Sequence, residues 1–181
     1  DATCWPDAIK VAVNLSAGQF RTGSLFGVIC DALANSGLPA NRLELEITES
    51  LLLQDKASNI HVIEQLKNIG ITVVLDDFGT GYASLSNLLK FPFDRIKIDK
   101  SFTKGLPART DSRAAVASIL TLARGLEIEV TAEGVETVPQ FEMLQAYGVD
   151  YVQGYLFGRP GPVSEIDFAA LEIARGVGAA A

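Results

Sequence analysis

Six short stretches of the chain are dense in Val, Ile, Leu and aromatic residues, and between them apolar positions recur at helical spacing. The stretches are Val11–Ser16 (VAVNLS), Leu43–Thr48 (LELEIT), Thr72–Phe78 (TVVLDDF), Arg95–Asp99 (RIKID), Glu129–Val135 (EVTAEGV) and Tyr151–Phe157 (YVQGYLF). Each has the length and composition of a strand. The intervening segments put Leu25, Val28, Ile29 and Leu33 on one helical face, then Ile60, Ile63, Leu66 and Ile69. Val116, Ile119, Leu120 and Ala123 make the next face, and Phe141, Leu144 and Gln145 open the last. Gly37, Gly70 and Gly148 stand where a helix closes before the following strand. Strand alternating with helix predicts βα units around a parallel sheet.

Alternation within the strands sharpens that expectation. Leu43, Leu45 and Ile47 point one way, and Glu44 and Glu46 the other; Ile96 and Ile98 oppose Lys97 and Asp99; Val11, Val13 and Leu15 oppose Ala12, Asn14 and Ser16. An aliphatic row for helices and a polar row on the opposite face suit the wall of a TIM-type (β/α) barrel. The strands of an open doubly wound sheet tend to be apolar on both faces. Asn14, Glu46, Asp76, Lys97, Glu133 and Gln153 all fall late in their strands, towards the rim where barrels build active sites. No Gly/Ser-rich or Pro-rich linker divides the chain, so residues 1–181 read as one domain.

Composition narrows the chemistry. With 15 Lys plus Arg against 22 Asp plus Glu, the net charge is -7, which argues against neutralising the backbone of a long nucleic acid. Two cysteines, Cys4 and Cys30, are too few for a disulfide framework or a four-thiolate zinc site. The single histidine, His61, sits amid helical spacing and reads as a surface residue. No long apolar run or basic-then-apolar leader occurs, so no membrane segment is expected and the location reads as cytoplasmic.

On neighbouring strands, Glu46, Asp76, Asp77, Asp99 and Glu133 would converge with only Lys97 to balance them. Two carboxylates about 4 Å apart repel by roughly 4 kcal/mol at an effective dielectric near 20. Divalent cations relieve this more completely than raised pKa values do, and an all-oxygen donor set including Asn14 suits Mg²⁺ or Mn²⁺ rather than zinc or copper. Adjacent Asp76 and Asp77 could bridge two ions about 3.5–4 Å apart, as in phosphoryl-transfer hydrolases. Taken singly, each residue has an ordinary explanation. Asp-Asp can cap or turn, a strand Glu can face water, and Lys97 can snorkel at a barrel end. Their joint appearance at successive strand ends favours a site. Asp77-Phe78-Gly79 matches three letters of a kinase metal motif, but no kinase glycine loop accompanies it.

These residues carry a resemblance. Asn14-Leu15-Ser16 with Gln19-Phe20, Glu46-Ile47-Thr48-Glu49-Ser50, Asp76 through Tyr82, Phe91-Pro92-Phe93-Asp94 to Ile96-Lys97-Ile98-Asp99, Ala132 through Thr137, and Gln153-Gly154-Tyr155 follow one another in order. The pattern resembles the EAL-domain family of cyclic di-GMP phosphodiesterases, which implies hydrolysis of cyclic di-GMP to linear pGpG with two Mg²⁺ or Mn²⁺ ions. By resemblance, Asn14, Glu46 and Asp76 are ligands of one metal. Asp76 bridges to a second, held with Asp77 and Glu133. Lys97, with Glu133 beside it, orients or deprotonates the attacking water. Gln153, Glu136 and Asp99 lie near the substrate. Glu49 steadies the loop of Gly79, Thr80, Gly81 and Tyr82, coupling it to the metals and to contacts of a homodimer. The family also implies an upstream sensory or diguanylate cyclase domain, with this chain free in the cytoplasm or the cytoplasmic part of a membrane-bound protein.

One departure stands out. The namesake Glu-Ala-Leu motif, whose glutamate is a further metal ligand, is absent. Six strand candidates are found where a barrel has eight. The expectation is therefore a barrel incomplete at its amino terminus, with impaired turnover in this chain. The rival expectations are a non-catalytic cyclic di-GMP receptor and a folded fragment without ligand function.

Overall fold

The structure, a computed structural model, describes residues 2–20, 23–49, 51, 57–81 and 88–166. Within them lie β1 (Val11–Leu15), β2 (Leu43–Thr48), β3 (Thr72–Phe78), β4 (Arg95–Ile98), β5 (Glu129–Ala132) and β6 (Tyr151–Val152). All neighbouring pairs are parallel, in the order β1-β2-β3-β4-β5-β6. Each strand lies beside its predecessor, so the sheet winds in one direction and forms a barrel wall without a switch point. Among the described residues, β1 and β6 do not pair with each other and the wall is open.

Among the described residues, four helices of more than two turns cover it: α1 (Leu25–Ser36), α2 (Ala57–Asn68), α3 (Thr110–Gly125) and α4 (Val138–Ala146). The aliphatic row faces them as expected. Leu45, Ile47, Val73, Leu75, Ile96, Ile98 and Val130 are at most 1% exposed, in one cluster with Ile63, Leu66, Val116, Leu120 and Leu144. Each such side chain contributes about 1.5–3 kcal/mol by leaving water. The helix stops follow the glycines. Gly37 (φ 69°) donates to the Leu33 carbonyl, Gly70 (φ 96°) to Lys67, and Gly148 (φ 72°) to Gln145. Helix α3 has no glycine at that place, and Glu127 takes the left-handed conformation (φ 57°) instead.

Two expectations are corrected at the strand ends. β5 stops at Ala132 rather than Val135, and β6 at Val152 rather than Phe157. The backbone turns away at Gly134 (φ 67°), after which the Val135 amide donates to the Gln153 carbonyl and the Leu156 amide to Val135. β4 ends one residue early because Asp99 caps the turn that follows, accepting from the Ser101 amide at 3.0 Å. A third correction concerns packing. Val13 (42% exposed) and Val28 (59%) are not covered, β1 being the edge of the sheet among the described residues. An apolar groove lined by Val11, Val13, Val28 and Leu33 remains open there.

The interior face is polar at both ends. At the amino ends of the strands, Arg95 forks onto Glu44 (3.1 Å to each oxygen) and Glu129 (2.9 Å). Lys10 reaches Glu44 at 2.9 Å, and the Arg95 guanidinium stacks 3.9 Å from the Tyr151 ring centroid. The alternation reading placed Glu44 on this face but did not foresee that network. The carboxyl ends hold the second cluster.

Candidate active site

β3 delivers two adjacent carboxylates to one place by breaking its own alternation. Successive strand residues face opposite ways, so Asp76 and Asp77 in a regular strand could not converge. Between Leu75 and Phe78 the register with β4 shifts, Leu75 pairing with Ile96 but Phe78 with Ile98. Asp77 sits in this bulge at φ 55°, a left-handed conformation that Asp tolerates better than most residues. The result is a cluster in which carboxylate oxygens of Asp76, Asp77 and Glu133 all lie within 4.8 Å of one another.

Lys97, projecting inward from β4 and only 6% exposed, stands among them. Its Nζ is 2.7 Å from Glu133, 3.0 Å from Glu46 and 3.3 Å from Asp76. Burial alone would lower the Lys97 pKa, but its hydrogen bonds to Glu133 and Glu46 hold it above the ordinary value. Burial raises the Glu133 carboxyl above the usual range, with Asp76 and Glu46 adding to the effect and Lys97 opposing it. Asp77 is raised too, by burial and then by Asp76 and Asp99. Four carboxylates against one buried ammonium leave excess negative charge, and all donors are oxygen. Such a set fits hard divalent cations.

The other expected residues are placed around this centre. Asn14 is paired with Glu46 by strand register and is exposed on β1. Glu49, buried at the end of β2, accepts from the Gly79 amide at 3.4 Å and the Thr80 hydroxyl at 3.5 Å. Gly79 (φ 98°) and Gly81 (φ 123°) take conformations that favour glycine; Ser50 and Tyr82 lie outside the described residues. Glu136 and Gln153 line a cleft of about 250 Å³ beside Glu133, with Lys100, Gly134, Gly154 and Tyr155. Asp99 stands outside that lining and is engaged as a cap, its carboxyl held below the ordinary value, against burial, by Ser101 and Lys100. His61 is exposed, as expected. Lys100 was missed by motif reasoning: a lysine opening a one-turn helix carries no periodic signal, and only the fold turns it towards the cleft.

A one-way parallel wall with clustered carboxylates at its carboxyl rim defines an open, barrel-like α/β domain with an acidic rim. The comparisons make this specific: residues 2–160 match the EAL domain, and the chain belongs to that family. A Sinorhizobium fredii protein of uncharacterised function is 47% identical over 165 residues, 91% of this chain and 20% of that protein. The bifunctional diguanylate cyclase/cyclic di-GMP phosphodiesterase MucR of Pseudomonas aeruginosa is 40% identical over 157 residues, 87% of this chain and 23% of its own length. The solved PaMucR phosphodiesterase–c-di-GMP complex superposes with a TM-score of 0.81 at 40% identity, covering 86% of this chain and 63% of that one. Klebsiella pneumoniae BlrP1, solved with manganese and cyclic di-GMP, gives 0.76 at 34% identity, over 83% and 39%. The chain spans about a fifth of the length of the curated relatives it matches. No helix among the described residues is long and apolar enough to cross a membrane.

Proposed function

We propose that this chain is a metal-dependent phosphodiesterase domain that opens one phosphodiester bond of cyclic di-GMP to give linear pGpG. The observation that carries the reading is the constellation of Asp76, Asp77 and Glu133 within 4.8 Å, gathered around the Lys97 ammonium in an EAL fold. Mg²⁺ or Mn²⁺ fits the donors. Asn14, Glu46 and Asp76 would hold one ion, and Asp76, Asp77 and Glu133 a second. When bound, the two ions would neutralise the phosphate and make a water acidic enough to attack near neutral pH.

The chain's own groups do the rest. Lys97, its Nζ 2.7 Å from Glu133, 3.0 Å from Glu46 and 3.3 Å from Asp76, is placed to orient the attacking water and steady charge on the phosphate. A carboxylate then takes the water's proton. Glu133, at the rim 2.7 Å from the Lys97 ammonium, is placed for that role. Gln153 and Glu136 line the cleft in which the substrate would lie. Glu49 ties the Gly79–Thr80 loop to β2, so occupancy of the rim and order of the loop are coupled. The domain works in the cytoplasm as a homodimer, within a longer protein carrying a sensory or diguanylate cyclase module upstream.

The test is pGpG release from cyclic di-GMP with Mg²⁺ or Mn²⁺, on this chain and on a version lengthened at its amino terminus. Product is expected from the lengthened version, reduced in this chain, and lost with chelator or with Asp76→Asn. No product from either would overturn the reading. Tight binding without hydrolysis, indifferent to chelator, would make the domain a receptor instead; the full set of Glu46, Asp76, Asp77, Lys97 and Glu133 weighs against that.

A further inference from the structure

Between β4 and α3 the chain makes a single helical turn, Lys100–Thr103, which touches the segments that follow Asp77 and Glu133. On one side its Phe102 ring lies against Gly79, two residues beyond Asp77. A Cβ placed on Gly79 would sit 2.7 Å from Phe102 Cε2 and 2.9 Å from Cζ. On the other side the turn abuts Gly134, next to Glu133, where a Cβ would sit 2.5 Å from Lys100 Cβ and 3.3 Å from Thr103 Oγ1. The Thr103 hydroxyl donates to the Glu133 backbone carbonyl, and Thr103 is fully buried.

The turn is itself held at both ends. Asp99 caps it through the Ser101 amide. Gln140, the buried capping residue of α4, donates its Nε2 to the Thr103 carbonyl at 3.2 Å. The same Gln140 accepts at Oε1 from the Glu136 and Thr137 amides, at 2.9 and 3.0 Å. One rigid turn therefore touches the segment after Asp77 and the segment after Ala132, and is tied to the start of α4.

We propose that Phe102 and Thr103 are positioning residues: the Lys100–Thr103 turn is a wedge that sets the spacing between the Asp77 and Glu133 carboxylates, and so the affinity of the rim for a divalent cation. The proposal rests on reading that rim as a cation site. Neither residue reaches the reacting atoms; Phe102 acts through Gly79, two residues beyond Asp77, and Thr103 through the backbone of Glu133. Partners one layer removed from metal ligands change affinity by about 10- to 100-fold when altered.

The test uses the full chain with Thr103→Val, which keeps the shape and removes the hydroxyl, Thr103→Ser, which keeps the hydroxyl, and Phe102→Leu. Mn²⁺ binding is followed by titration calorimetry. Thr103→Val and Phe102→Leu are expected to weaken it by about 10-fold or more, with Thr103→Ser within about 2-fold of the parent. A fall in melting temperature with unchanged Mn²⁺ affinity would reduce the turn to a structural element and overturn the proposal. Absence of Mn²⁺ binding by the parent would instead strike at the cation-site reading. The wedge is then judged by crystal structures of the parent and Thr103→Val without metal. Carboxylate oxygens of Asp77 and Glu133 that move apart in the variant support it, and unchanged separation overturns it.

Discussion

At the scale of single residues, Asp77 bears the two tensions of this rim, a left-handed backbone and a carboxyl whose pKa is raised by burial and by Asp76 and Asp99. An acid with a raised folded-state pKa is penalised when ionised. That penalty is complete above the folded value and disappears below the ordinary value of 3.8. Asn at this position removes the charge and is at ease in the left-handed region. In chelator at about pH 7.5, Asp77→Asn is therefore expected to melt at a higher temperature than the parent, with the gain shrinking as the pH falls towards about 4. Thermal denaturation across that range checks this, and a gain independent of pH would assign it to the backbone alone. The identity of Asp77 was plain in the sequence. Its direction was not: strict alternation would have turned it away from Asp76, and only the bulge against β4 brings both to one side.

At the scale of elements, the rim loops are locked to each other through glycines that admit close backbone approach. Gly154, just after β6, has no positive φ to explain it; a Cβ there would run into the backbone N, C and O of Val135. Backbone cannot step aside as a side-chain tip can, so Gly154→Ala is expected to cost about 3 kcal/mol. Gly158→Ala, with nothing within 4 Å of its Cβ, should change stability by less than about 0.5 kcal/mol. Denaturant titration of the two variants gives the comparison, and equal effects would refute the close approach. The same contacts explain why β5 and β6 are shorter than their composition suggested. Val135 and Phe157 are strand-like residues, but beyond Ala132 and Val152 the two segments bond to each other outside the ladder, the Val135 amide to the Gln153 carbonyl and the Leu156 amide to the Val135 carbonyl. Local composition cannot register a bond to a segment some twenty residues away.

At the scale of the whole molecule, the wall is pinned below the rim by Arg95, whose guanidinium joins β2, β5 and β6 to β4. Removing one partner of a buried pair leaves the other unpaired, which costs about 3–5 kcal/mol. Arg95→Met is expected to destabilise by about 2 kcal/mol, below that range because buried Glu44 keeps the partly exposed Lys10, while Glu129→Gln, half exposed, should cost less than about 1 kcal/mol. Equal costs in equilibrium unfolding would mean that the network is not anchored on Glu44. The strands themselves, the aliphatic and polar faces and the late placing of Glu46, Asp76, Lys97 and Glu133 followed from the sequence, because side-chain period and βα alternation are local properties of the chain. Tertiary structure alone decided which of those polar residues meet. It closed Lys97 onto three carboxylates, turned Asp99 into a cap, and set Phe102 and Thr103 between the loops. Such meetings depend on register, bulges and close backbone approach between distant segments, and no single segment encodes the position of another.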